Sequence, residues 1–484
     1  MLIRFPTLLA LTIACSACSR DGTLEAAAKN LGVEDLSAVK FQGTGASFSV
    51  GQAFIAGQEW PQVDIVAYTA EVDYQAAAMR TDVVRQQPNP APPGGGVRFA
   101  GQQRQIQLLS GASAWNQPPP GADGAPPPAQ PQPAAVAERT LQMWTTPHGF
   151  LKAAAANAST VEDSGEGSEV SFTLPSGHRV TGTINGANEV ASVRTWIDSP
   201  VLGDMLVETT YGGYQDFGGV RFPSRIQQTQ GGHPSLDLTI TVVEGNPAVD
   251  VAVPQEVTAF QPPPVATTVD EVADGVYYIR GGSHHSVAIE MRDHVVVVEA
   301  PQSEARGVAV LDAVQAAIPG KPIRFVVNTH AHFDHSGGLR PFVDAGATVV
   351  THESNRSFYE TAWAVPRALN PDRLAASAKP AAFQTVGDRG ELSDGARRIE
   401  LYAITDNPHN TGFLMAYLPR ERLLIEADAY TPGAAGAPET TPPSANTVAL
   451  YNGVRALGLD VRQILAIHGP RIATMADLRA AAGM

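Results

Sequence analysis

Two rhythms of apolar and polar residues divide the chain. From about residue 25 to residue 260, short runs alternate apolar with polar positions: VDIVAYTAEVDY, RQIQLLSG, TLQMWTT, SEVSFTL, HRVTGTIN, EVASVRTWID, MLVETTY, RFPSRIQQTQ and LDLTITVVEG, with Gly, Pro, Asn or Asp between them. A period of two sends successive side chains to opposite faces of a strand, so residues 25–260 are expected to form a β-rich domain on an antiparallel sheet. Beyond residue 268 the rhythm changes. The strand-like runs GVYYIRG, SVAIEMR, HVVVVEA, IRFVVNT, TVVTH, IELYAIT, FLMAYLP, RLLIEAD and QILAIHG are interleaved with the helical stretches VAVLDAVQAAI, NRSFYETAW and TVALYNGVRAL. Strands alternating with helices predict a layered α/β domain over residues 269–484. Between the two parts, QPPPVATT (261–268) reads as a linker, because consecutive prolines favour extended chain and support neither ladder nor helix.

Composition refines this division. The chain has 484 residues, more than one ordinary core accommodates, in keeping with two domains. QPNPAPPGGG (87–96) and QPPPGADGAPPPAQPQPA (117–134) lack apolar periodicity and are expected to be disordered loops within the first domain. The opening MLIRFPTLLALTIACSACSRDG joins a basic residue, a short apolar run, small residues and both cysteines of the chain, so residues 1–18 read as an export signal. It resembles a bacterial lipoprotein signal, which implies a periplasmic or membrane-anchored protein with lipid on Cys15 or Cys18. No later run reaches the roughly 18 to 20 continuous apolar residues of a transmembrane helix. Cleavage at either site leaves at most one cysteine beside the new N-terminus, which excludes a disulfide framework or a cysteine metal site in the body of the chain. The net charge of −15 argues against a nucleic-acid partner and leaves a small-molecule substrate as the expectation.

The histidines are unevenly spread: nine of the twelve follow the linker. NTHAHFDHSGG (328–338) sets His330, His332, Asp334 and His335 directly after the strand IRFVV. Imidazole and carboxylate are the zinc ligands available without cysteine, and the end of a strand is where an α/β sheet opens to ligands. Gly337 and Gly338 are expected to let the backbone turn tightly behind them. One turn supplies too few ligands for two ions; further candidates are His409 in DNPHNTG, Asp428 at the end of RLLIEAD and His468 at the end of QILAIHG.

In this order, these residues resemble the motifs of the metallo-β-lactamase superfamily, and the resemblance covers residues from about 269 onward. It implies an αββα sandwich carrying two zinc ions at one edge. His330, His332 and His409 would hold the first ion, Asp334, His335 and His468 the second, and Asp428 would bridge them. It also implies a hydrolase that uses a bridging hydroxide on an ester, lactone, amide or thioester. Asp334 would return a proton to the leaving group, and Tyr430 would donate its phenol to the developing oxyanion. Glu299 stands where the family has aspartate and is expected to support a ligand; His284 and His285 are read as lining the mouth or capping a turn, and His352 as supporting or structural. Alternatives are a β-lactamase, disfavoured by aspartate at 428, a mononuclear-iron persulfide dioxygenase of the same fold, and a non-catalytic carrier lipoprotein. Residues 211–255 resemble the tail of lipoprotein-carrier-like domains, curved sheets that hold an apolar ligand. Since every candidate for chemistry follows the linker, the C-terminal domain is expected to be self-sufficient, with the first domain positioning substrate or anchoring the enzyme.

Overall fold

A computed structural model describes residues 16–484 apart from residues 97, 122–123, 125, 166 and 437–441. The export signal (1–18) with Cys15 falls almost wholly outside the described residues. Cys18 lies on the helix Ser16–Leu31.

The alternating half forms one antiparallel sheet of thirteen strands. Two meanders run outward in opposite directions from a central seam, where Ala38–Phe48 pairs with His233–Gly245. One stretch departs from the period-two reading. TLQMWTT belongs to the helix Val136–Thr145, whose buried residues are Arg139, Leu141, Met143 and Thr145. Arg139 and Met143 share one side of the helix and Leu141 and Thr145 the other, so two stripes of four-residue spacing overlap and mimic strand alternation. Arg139 Nη1 donates to the carbonyls of Leu108 and Trp115 in the sheet. Thr146 then caps the next helix, Pro147–Ala156, accepting from the Gly149 N–H. These helices and Ser16–Leu31 join Val39, Phe41, Val72, Val193 and Leu238 of the sheet in one core.

The described parts of both proline-rich loops make hydrogen bonds beyond themselves. The Gly94 N–H donates to the Pro408 carbonyl and the Gly95 N–H to the Gln52 carbonyl. In the second loop, Gln117 Nε2 donates to the Pro127 carbonyl and Gln130–Pro131 forms a short edge strand. Proline-rich chain cannot order itself, but it can be held by another surface. Residues 261–266 of the linker are exposed, and it has no regular structure before a strand begins at Thr268.

The C-terminal half is the expected αββα sandwich. A seven-stranded sheet begins with antiparallel strands and ends with the parallel set Val295–Val298, Ile323–Val327, Thr348–His352 and Phe383–Val386. A five-stranded sheet faces it, with Leu414–Leu418, Leu423–Glu426 and Gln463–Ala466 on one side. Val295–Val298 and Leu423–Glu426 are buried at every position, as strands covered on both faces must be. Val296, Val298, Leu414, Ile425 and Leu465 meet between the sheets. Glu304–Ala317 and Leu339–Asp344 cover one outer face; Ala445–Ala456 and Met475–Ala481 cover the other.

Candidate metal centre

The histidine-rich turn starts where Ile323–Val327 ends and the backbone leaves the sheet. Asn328, fully buried, ties both ends of the turn together. Its Nδ2 donates to the carbonyls of His330 (2.7 Å) and His335 (3.3 Å), and its Oδ1 accepts from the Tyr359 hydroxyl (2.7 Å). Gly337 and Gly338 provide clearance rather than unusual dihedrals. A Cβ on Gly337 would lie 2.0 Å from the Gln302 carbonyl oxygen, and one on Gly338 2.8 Å from that of Ala300.

The side chains converge in two groups, and Asp428 faces both. In the first, His330, His332, His409 and Asp428 bring their ligand atoms within 4.8 Å of one another. His409 Nε2 is 3.1 Å from His330 Nε2 and 3.0 Å from Asp428 Oδ2. In the second, Asp334, His335 and His468 are joined by His284, also within 4.8 Å. His468 Nε2 is 3.1 Å from His335 Nε2, and these two nitrogens lie 2.8 and 2.9 Å from Asp428 Oδ1. His284 Nε2 lies 3.2 Å from Asp334 Oδ2, so a residue read from sequence as lining the mouth or capping a turn belongs to a ligand-bearing group.

Neighbouring groups fix which nitrogen of each imidazole turns inward. Glu299, fully buried and left-handed at φ 72°, accepts from His335 Nδ1 at 2.6 Å and from the Thr329 N–H at 2.7 Å. This is the support expected of it. His468 Nδ1 donates to the Ser283 carbonyl, and His332 Nε2 donates to the Ala53 carbonyl, both at 3.1 Å. The inward atoms are therefore His335 Nε2, His468 Nε2 and His332 Nδ1, and this last is buried without a hydrogen-bond partner. Facing lone pairs beside a carboxylate need a proton or a cation between them. The donor set, imidazole nitrogen and carboxylate oxygen, suits zinc and similar divalent ions.

The protonation equilibria carry the same imprint. Burial pushes His330 down to about 4, keeping it neutral and able to donate a lone pair. Burial, with His330 and His409 beside it, also holds His332 well below its usual value. Burial opposes charge on His335 as well, but Asp428 and Glu299 outweigh it and raise that group well above the ordinary histidine range. Burial alone would raise Asp428 and Asp334; the imidazoles around them prevail and hold both below the usual carboxylate range.

Other sequence candidates fall outside these groups. Tyr430 is 2% exposed and packs with the core between the sheets, its backbone N–H donating to Glu426 Oε2. His285 joins the Gly281 N–H to the Gly469 carbonyl, and His352 caps residues 353–355. The first domain, in contrast, reaches the site. Gln52 Nε2 donates to Asp334 Oδ1 at 2.8 Å, although every candidate for chemistry read from the sequence follows the linker.

Residues 279–437 match the Metallo-beta-lactamase superfamily. The chain is 30% identical over 187 residues to the 2,4-dinitroanisole O-demethylase subunit alpha of Nocardioides sp. (strain JS1661), covering 38% of this chain and 52% of that one. It is 36% identical over 75 residues to a linear primary-alkylsulfatase of Pseudomonas sp, covering 15% of this chain and 11% of that one. The chain thus spans about half of the first relative's length and about a tenth of the second's. Among solved structures, a metallo-beta-lactamase from Pontibacter korlensis aligns with a TM-score of 0.34 at 16% identity, covering 45% of this chain and 97% of that one.

Proposed function

Since the C-terminal domain is one of the metallo-β-lactamase superfamily, we propose that this protein is a two-zinc hydrolase that cleaves an ester, lactone, amide or thioester. His330, His332 and His409 would hold one ion, Asp334, His335 and His468 the other, and Asp428 would serve both. The observation that carries this reading is the division of Asp428: Oδ2 faces His409, while Oδ1 faces His335 and His468. A carboxylate with its oxygens shared between two imidazole groups is suited to joining two cations.

When bound, paired divalent ions supply Lewis acidity toward a substrate oxygen and lower the pKa of water toward neutrality. The chain's own groups set the rest. Neutral His330 and His332 keep their lone pairs available at neutral pH. Asp334, with a side chain 35% exposed against 13% for Asp428, is the more open carboxylate. We assign it the hand-over of a proton to the leaving group, although the imidazoles beside it make it a weak base, with Gln52 holding one oxygen in place. Tyr430 is left out of this scheme because the core encloses it.

The relatives add an aryl methyl ether and a linear primary alkyl sulfate to the substrates worth testing. Purified full-length protein is expected to contain two zinc ions and to hydrolyse one member of a panel of esters, lactones, thioesters, amides, alkyl sulfates and β-lactams. His330→Ala and His468→Ala should each lose one ion, from different sites. A single iron per chain would favour the oxygenase alternative; two ions retained in either variant would overturn the ligand assignment. We place the protein outside the cytoplasm, on the strength of residues 1–18.

A further inference from the structure

We infer that the first domain completes the metal centre, with residues 49–61 forming one of its walls and Gln52 acting as a positioning residue for the second ion. This rests on the two-metal reading and goes beyond it by assigning part of the centre to the other half of the chain.

Residues 49–61 connect the central strand Ala38–Phe48 to Gln62–Asp73. Their bonds converge on the two stretches that carry the ligands. The Gly51 carbonyl accepts from the Phe333 N–H at 3.2 Å, and Gln52 Nε2 donates to Asp334. The Ala53 carbonyl accepts from His332 Nε2 and from Asn410 Nδ2, each at 3.1 Å. The Phe54 carbonyl accepts from the Thr411 N–H at 2.9 Å. Four consecutive residues thus grip the turn 332–334 and the stretch that follows His409.

The fit depends on close approach. Gly51 has φ 76°, and a Cβ there would lie 2.3 Å from the Phe333 ring. Trp60, nearly buried, packs edge-on against Phe333 with ring centroids 6.3 Å apart. Behind the segment, the proline-rich loop braces it through Gly95 and reaches the 407–411 turn through Gly94.

These contacts act on ligands of both groups. The Ala53 carbonyl fixes the proton of His332 on Nε2 and leaves Nδ1 for the centre. The Gln52 amide holds the Asp334 carboxylate against rotation. Removal of such an outer partner typically lowers metal affinity tenfold to a hundredfold.

Competition between the full-length protein and a chromophoric zinc chelator tests this, with cobalt substitution giving an independent spectrum of each site. Gln52→Ala is expected to weaken the second ion at least tenfold, leave the first near wild type and alter one cobalt signature. Gly51→Ala, which pushes the segment off Phe333, should weaken both ions. Gln58→Ala, an exposed position on the same segment, should change neither. Wild-type affinities and spectra in Gln52→Ala, from a wild type that holds two ions, would overturn this inference alone. A wild type that takes up no metal would overturn the two-metal reading itself, and this inference with it.

Discussion

Replacing Glu299 by glutamine changes one atom's chemistry and almost nothing in shape, yet the structure predicts a loss confined to one ion. The carboxylate is fully buried and accepts from two donors, His335 Nδ1 and the Thr329 N–H. An amide has one oxygen to accept with; its NH2 group must face the other donor. If the oxygen stays on Thr329, the NH2 meets His335, and the imidazole relieves the clash by shedding its Nδ1 proton and keeping the one on Nε2. That nitrogen is the one that faces Asp428 at 2.9 Å and His468 at 3.1 Å. In wild type a metal displaces one of the two protons that Asp428 and Glu299 hold on His335; in the variant it must also restore the donor clash at Nδ1. The lost charge-assisted bond is worth about 1.5 to 3 kcal/mol. At 1.4 kcal/mol per factor of ten, this is about a tenfold to hundredfold weaker second ion. The three histidines of the first group do not touch Glu299, so their ion should bind as before. Stepwise zinc titration reads both constants in one experiment. A Glu299→Gln protein whose second ion binds as tightly as in wild type would refute this account of His335.

Three other outcomes are expected. Tyr430→Phe removes only a hydroxyl from an enclosed side chain and should leave kcat/KM within about threefold; a loss of two orders of magnitude would return the phenol to the chemistry. His148 is pushed down to about 4 by burial, with its Nε2 bonded to the Leu31 carbonyl, so the folded state resists protonation where the unfolded chain accepts it. Its stabilising share is therefore complete above pH 6.5 and lost as pH falls toward 4, about 3 kcal/mol in all. Urea unfolding of His148→Gln across that range should show a shallower decline than wild type, and parallel curves would show that His148 does not set the slope. Replacing both Cys15 and Cys18 by serine should move the protein from the membrane to the soluble fraction, and an unchanged distribution would exclude lipid anchoring.

Local patterns made most of the C-terminal domain legible. The strand IRFVV, the HxHxDH spacing and the strand ends at Asp428 and His468 are properties of a few consecutive residues, and the structure places these side chains near one another. What the pattern hid depends on distance along the chain or on overlap of two periods. Gln52 and Asp334 lie on different domains, and nothing about a glutamine in a loop announces its partner. His284 enters the second group because an isolated bridge with His468 places it there. The helix containing TLQMWTT was masked by burial on two sides, and the order of 87–96 comes from surfaces outside it.

The seam between Ala38–Phe48 and His233–Gly245 bears on the order in which the molecule is made. Val39 pairs with Gly245 and Ser47 with Leu236, so the two meanders cannot join until nearly the whole first domain has been synthesised. Pairing over such a sequence separation is slow, because loop-closure entropy is lost before the contacts form. Residues 49–61 spring from that seam strand and hold Asp334 and His332 at their other end. If the first domain completes the metal centre as we infer, tight binding of ions would have to wait until that seam has closed.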